Sequence, residues 1–221
     1  MVFRSWRSGT LLSLAFERFN EMLERVERIF DIATDILLCK ATDESDIEAL
    51  KEEEKKTDAL QTEIRRKTVE YLSLHPGGDV IAALLLFSVA KDAERLGDLA
   101  INILDARHLL TENVEHGEYA EALADLEAKL ESMFKLTRRA FKEQDEKAAE
   151  KAVWIRAQAA AACNALLKRV MEDTNISVHR AVSYTLLERH FKRTAAHLYH
   201  IASAVLDPAM LIEHRKSPGG L

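Results

Sequence analysis

An all-α protein, built as two antiparallel three-helix bundles side by side, is what three features of this sequence predict. Apolar residues recur at spacings of three and four along nearly the whole chain, the signature of helices that bury one face. Glycine numbers 7 and proline 3, too few to punctuate the many turns of a β-protein. The composition is 48% hydrophobic and 31% charged and is rich in Ala, Leu, Glu, Lys and Arg, the strong helix formers. At 221 residues the chain can bury a real core in one large domain or two small ones.

The elements follow in order. Leu12, Phe16, Phe19, Leu23, Val26, Phe30, Ala33 and Leu37 form one stripe and predict a first helix over about 11–40. Ser45 stands three residues before Glu48, a capping-box pattern that opens a second helix running to about Leu74. Pro76, Gly77 and Gly78 break it, and a third helix runs from near Asp79 to about Leu110. A polar loop over 111–119 is the natural domain boundary. A fourth helix over about 119–142, a break near Gln144 and Asp145, a fifth helix to about Thr174 and a sixth over about 177–206, stopped by Pro208, complete the count. Helices of 25 to 30 residues are roughly 40 Å long at 1.5 Å per residue, and short connections make neighbours antiparallel. The domains expected are 1–110 and 117–208, with 209–221 a frayed tail.

The two halves resemble each other. Asp92–Ile103 can be laid on His190–Ile201, with Arg95 on Arg193, Gly97 on Ala195 and Ile103 on Ile201, which together with the matching helix order suggests a degenerate internal duplication. The net charge of −6 is unevenly held: residues 1–110 carry 15 Lys and Arg against 21 Asp and Glu, and residues 111–221 carry 16 against 16. An acidic chain without a basic stripe argues against nucleic acid. Cys39 and Cys163 form no CxxC or Cys/His motif, so a thiolate zinc site is not expected, and a reducing compartment is the simpler setting. No apolar run is long enough to span a bilayer. The segment around Arg4, Trp6 and Arg7 is followed by charge at Glu17 and does not read as a signal peptide; a peripheral membrane contact is an alternative use of it.

The chemistry-bearing pattern is acidic. In the third helix Glu94, Asp98, Asn102 and Asp105 lie along one side, and Glu94 and Asp98, four apart, stack on one face. Glu54 and Asp58 repeat that spacing in the second helix. Glu54 lies 22 residues before Pro76 and Asp98 lies 22 after it, so antiparallel packing about that turn brings the two pairs level. Two like charges 4 Å apart cost about 4 kcal/mol at an effective dielectric of 20. Hard cations, which prefer carboxylate oxygen, would offset this; shifted pKa values or pairing with Arg95 and Lys91 are the alternatives, and a solvated acidic face is the plainest one.

Other signatures are weaker. No histidine follows a glutamate at the Glu-x-x-His spacing of a di-iron bundle, and only Asp105 before His108 comes near. His190, His197 and His200 share the sixth helix and could serve a soft metal, but no carboxylate is appropriately spaced beside His197; interfacial or solvated histidines are the simpler reading. Gly-rich phosphate loops, GxSxG and HExxH are absent from the sequence, and no Ser, Cys or His arrangement suggests nucleophilic catalysis. The alanines from Ala157 to Ala165 allow close helix packing.

The third-helix segment "DAERLGDLAINI" resembles the signature of the PhoU family, regulators of phosphate uptake and phosphate signalling, with Glu94, Arg95, Gly97, Asp98, Ala100, Asn102 and Ile103 matching. Glu54, Asp58, Glu63, Ile64 and Pro76 fit the family's preceding helix and loop. The resemblance implies two three-helix bundles whose paired acids bind iron, zinc, manganese or similar ions, which makes Glu54, Asp58, Glu94 and Asp98 the ligand candidates. The second half departs: Lys192 and Ala196, and Arg156 and Ala160, stand where acids would be, so its cluster is expected to be lost. By the same resemblance the chain is expected to be a non-enzymatic cytoplasmic adaptor, with a peripheral place on the inner membrane as the alternative. Its implied partners are a phosphate ABC transporter and its sensor histidine kinase, or a sodium/phosphate co-transporter, with a homodimer as a further expectation. A helical-bundle metalloenzyme, with an open coordination site and a nearby base, and a structural module with solvated acids are the rival readings.

Overall fold

The computed structural model of the protein describes residues 11–38, 44–110, 114 and 117–207. Six helices occupy them: α1 Leu11–Leu37, α2 Glu44–Leu74, α3 Val80–His108, α4 Ala120–Glu143, α5 Glu146–Glu172 and α6 Val178–Leu206. Helices α1, α2 and α3 pack on one another, as do α4, α5 and α6. The segment around Arg4, Trp6 and Arg7, Cys39, Lys40 and the tail 209–221 lie outside the described residues.

The breaks fall where local chemistry puts them. The α2–α3 turn spans 75–79. Gly78 is held so close that a Cβ there would lie 2.7 Å from Tyr71 Oη and 3.0 Å from the His75 carbonyl oxygen. The Tyr71 hydroxyl accepts from the Asp79 backbone N–H at 3.0 Å, and its ring stacks on His75. Asp79, Asp145 and Ser177, expected as the starts of helices or as breaks, are N-caps whose side chains accept from Ala82, Ala148 and Arg180 N–H, satisfying donors that a helix start leaves open. The capping-box reading is displaced: α2 already begins at Glu44, which puts Ser45 inside the first turn, and its side chain lies outside the described residues.

The α4–α5 turn is only two residues. Gln144 adopts the left-handed conformation, φ 55° and ψ 40°, and the Asp145 N–H donates to the Ala140 carbonyl at 3.1 Å. A side chain in that region is strained and glycine is not. Gln144→Gly is therefore expected to raise stability by about 0.5–1 kcal/mol, seen as a higher melting temperature, with helix content unchanged.

The predicted α1 stripe is buried at Leu12, Phe19, Leu23, Val26, Phe30, Ala33 and Leu37, and Phe16 is half-buried against the same core. The buried residues of both bundles make one continuous cluster. Two seams join the bundles, α1 against α4 and α3 against α6. Across the first, Phe19 meets Phe141 with ring centroids 4.8 Å apart and Phe30 meets Phe134 at 4.9 Å. Arg138 Nε lies 2.9 Å from Glu27 Oε2, and Glu24 lies within ion-pair reach of Arg138 and Lys142. Burial pushes the Glu27 carboxyl up, and the Arg138 charge opposes that.

Candidate functional site

The α2–α3 interface brings the predicted acids together. Glycine at position 97 lets the helices approach: a Cβ there would lie 3.2 Å from Thr57 Oγ1 and 3.6 Å from Glu54 Cγ. Thr57 is fully buried and its hydroxyl donates to the Glu54 carbonyl at 2.6 Å. Level with that contact, the Glu54 carboxyl lies close enough to Asp98 for the pair to raise the Glu54 pKa. Glu54, Glu94 and Asp98 are half-buried, while Asp58 is exposed at the rim.

Crowding shows in the titration of these groups. Burial, followed by the charges of Asp58, Asp98 and Glu94, pushes the Glu54 carboxyl up to about 7. Asp58 is raised by burial and by Asp98. Glu94 is raised by burial and by Asp98, against the opposing charges of Arg95 and Lys91. Arg95 relieves part of the repulsion: its Nη1 donates to Asp98 Oδ2 at 2.6 Å, and its Nε lies 3.5 Å from Glu94 Oε2. That second contact is within ion-pair range but outside hydrogen-bond geometry, and buried Glu94 Oε2 has no hydrogen-bond partner. The orphaned Glu94 oxygen lies among carboxyls that raise one another's pKa, chemistry that a hard or borderline cation would offset, but among the described residues no three of the four acids bring their oxygens within 4.8 Å of one another.

The sign of the resulting pH dependence is fixed. Glu54 has a folded-state pKa of about 7 against an ordinary 4.5. Its contribution is therefore full below about 4.5 and is lost as pH rises through about 7. In chelator, Glu54→Gln is expected to flatten this loss and to make the chain more stable at pH 8 by about 1 kcal/mol, a figure reduced for solvent screening. Urea unfolding at pH 5 and pH 8 measures it.

The second bundle places cations at the corresponding positions. Arg156 lies over the Tyr199 ring, 5.1 Å from its centroid. Lys192 Nζ donates to Asn164 Oδ1 at 2.8 Å and sits 3.6 Å from Glu188 Oε1. Cys163 is buried beside Glu188, and its thiol is pushed up to about 12 by burial first and then by that charge, so it is no nucleophile.

Residues 19–106 match the family model of the PhoU domain. The first bundle is thus similar to a PhoU domain. The matched segment covers α2 whole, most of α1 and α3, and all four acids. The fold agrees over a longer span. The crystal structure of the phosphate transport system regulatory protein PhoU from Streptococcus pneumoniae superposes with a TM-score of 0.77 at 20% identity, covering 92% of this chain and 96% of that one. PhoU from Pseudomonas aeruginosa superposes at 0.76 with 19% identity, covering 93% and 98%. No protein of curated function matches the chain in sequence. No helix among the described residues is long and apolar enough to cross a membrane.

The expectation that no carboxylate stands beside His197 is overturned, because the partner comes from a residue 105 positions away. The structure supplies it from α3: Asp92 Oδ1 lies 2.8 Å from His197 Nδ1 and 3.6 Å from His200 Nδ1. His190, two turns away, is not part of the cluster, and burial together with Arg193 and Arg189 lowers its pKa.

Proposed function

We propose that this chain is a PhoU-like regulatory adaptor of phosphate transport and phosphate-responsive signalling, which acts by docking on protein partners rather than by turnover. The observation that carries the reading is the PhoU-domain match over residues 19–106, reinforced by near-complete superposition on two PhoU structures. The partners that fit are a phosphate ABC transporter and its sensor histidine kinase, or a sodium/phosphate co-transporter. Glu54, Asp58, Glu94 and Asp98 would hold a metal ion whose role is charge neutralisation. Orphaned Glu94 Oε2 and the raised Glu54 carboxyl support that assignment. Neutralised, the α2–α3 face becomes a defined surface held at one interhelical angle; without a cation its carboxyls repel and Glu54 takes up a proton.

Two measurements test the reading. Deleting the gene is expected to alter phosphate uptake or its response to phosphate-poor medium; unchanged uptake and regulation overturn the adaptor role. The double variant Glu94→Ala, Asp98→Ala is expected to lose manganese or zinc bound by chain purified without added metal. Unchanged metal content and melting temperature overturn the cation at these residues.

A further inference from the structure

We propose that Asp92, His197 and His200 form a second metal site, for a divalent transition ion of the zinc class, at the seam where α3 of the first bundle meets α6 of the second. It stands apart from the acids of the α2–α3 face. Asp92 precedes Glu94 by two residues, about 200° around the helix, so the two sites lie on opposite sides of α3.

The geometry is that of a cation site. One donor atom from each of the three residues lies within 4.8 Å of the other two. In a tetrahedral zinc site with bonds of about 2.0–2.1 Å, neighbouring donors stand about 3.3 Å apart. The observed separations from Asp92 Oδ1, 2.8 Å and 3.6 Å, bracket that spacing, so shifts of about half an ångström convert the cluster into a coordination set. The rings of His197 and His200 stand 87° apart with centroids 6.2 Å apart, so they do not stack on each other. Spaced three apart on α6, they share a helix face.

One carboxylate oxygen draws both rings: His197 hydrogen-bonds to Asp92 at 2.8 Å and His200 lies within ion-pair range of the same oxygen at 3.6 Å, and a divalent cation would take the place of that shared charge. The donor set selects the ion: two imidazoles and one carboxylate suit zinc, cobalt or ferrous iron and not magnesium or calcium. Asp92 and His197 are 16% and 19% exposed and His200 is 43% exposed, so the site is walled by both bundles and opens to water on one side, where a fourth ligand enters. Before the ion arrives, the Nδ1–H tautomer of His197 donates to Asp92. On binding, that ring carries its proton on Nε2 instead, and the Nδ1 lone pair faces the metal. An ion held this way ties α3 to α6 and fixes one bundle against the other.

The full-length chain, stripped by chelator, provides the test. Calorimetric titration with Zn2+ is run on the wild type and on a variant with Glu54→Gln, Asp58→Asn, Glu94→Gln and Asp98→Asn. The acid variant is expected to bind one equivalent and to show a zinc-dependent rise in melting temperature; Co2+ in its place is expected to give visible bands of an imidazole-ligated ion. His197→Gln and His200→Gln, each made in the acid variant, are expected to weaken zinc at least tenfold and to abolish the melting-temperature rise. His200 is half exposed, so its replacement leaves folding intact, and circular dichroism verifies this. Failure of the acid variant to bind zinc, or zinc affinity unchanged in both histidine variants, overturns the site. Loss of metal from the wild-type acids alone bears on the earlier assignment and leaves this one standing.

Discussion

Phe30→Ala is expected to destabilise the chain by about 3–5 kcal/mol, enough to remove much of a typical domain's stability. Phe30 is fully buried on α1, yet its ring meets Phe134 of α4 at 4.9 Å and Phe191 of α6 at 6.4 Å, edge-on. It therefore fills space that belongs to neither bundle alone. Truncation leaves a cavity bounded by three helices of two bundles, which cannot collapse into it together, so the cost falls in the upper part of the range for aromatic deletions. Because the buried residues form one continuous cluster, the two bundles are expected to unfold in a single transition, shifted to lower urea with its slope unchanged. Far-UV dichroism against urea measures both quantities. A loss under about 1 kcal/mol, or a biphasic curve in the wild type, would show that the seam at Phe30 does not join the bundles energetically.

How much of this was readable beforehand depends on how local the information is. The α1 stripe was legible because α1 is apolar along one side and charged on the other. Periodicity shows which face is buried but not what buries it, so the pairing of α3 with α6 and of α1 with α4 was out of reach. Phe30, Phe134 and Phe191 are ordinary core residues in the sequence; only their convergence makes them a seam. The level meeting of Glu54 with Asp98 was legible because the intervening turn is tight. In an antiparallel pair, equal residue counts on either side of Pro76 give equal axial rises, and no long-range knowledge is needed. The Arg95 bridge to Asp98 follows from a three-residue spacing and was foreseen as an alternative. The Asp92–His197 contact was not, because its partners are 105 residues apart in different bundles. The available signal was the His197, His200 spacing on one helix face; the carboxylate had to come from a seam that periodicity does not reveal.

Gly97→Leu is expected to cost about 1–3 kcal/mol through overpacking, and to separate the acids while doing so. The first atom added at position 97 already meets Thr57 Oγ1 at 3.2 Å and Glu54 Cγ at 3.6 Å, with Val26 Cγ1 at 3.8 Å on the third side. Thr57 is buried and bound to the Glu54 carbonyl, so it yields only if α2 moves. Gly97→Ala is the control: its methyl group demands a few tenths of an ångström, while alanine's helix propensity returns up to about 1 kcal/mol, leaving the net change near zero. Leucine exceeds what Thr57, Glu54 and Val26 can concede, and α2 is pushed off α3 at the level of the carboxyls. Glu54 then leaves Asp98 and gains solvent, so its carboxyl, raised to about 7 in the intact interface, is expected to titrate back toward the ordinary glutamate range. Carbon-13 NMR of the Glu54 carboxyl through a pH series reads this directly in all three proteins. Glu54 titrating near 7 in a fully stable Gly97→Leu chain would mean that its shift does not arise from contact between α2 and α3; a shift that vanishes with leucine and survives with alanine ties the acids' chemistry to the missing side chain at position 97.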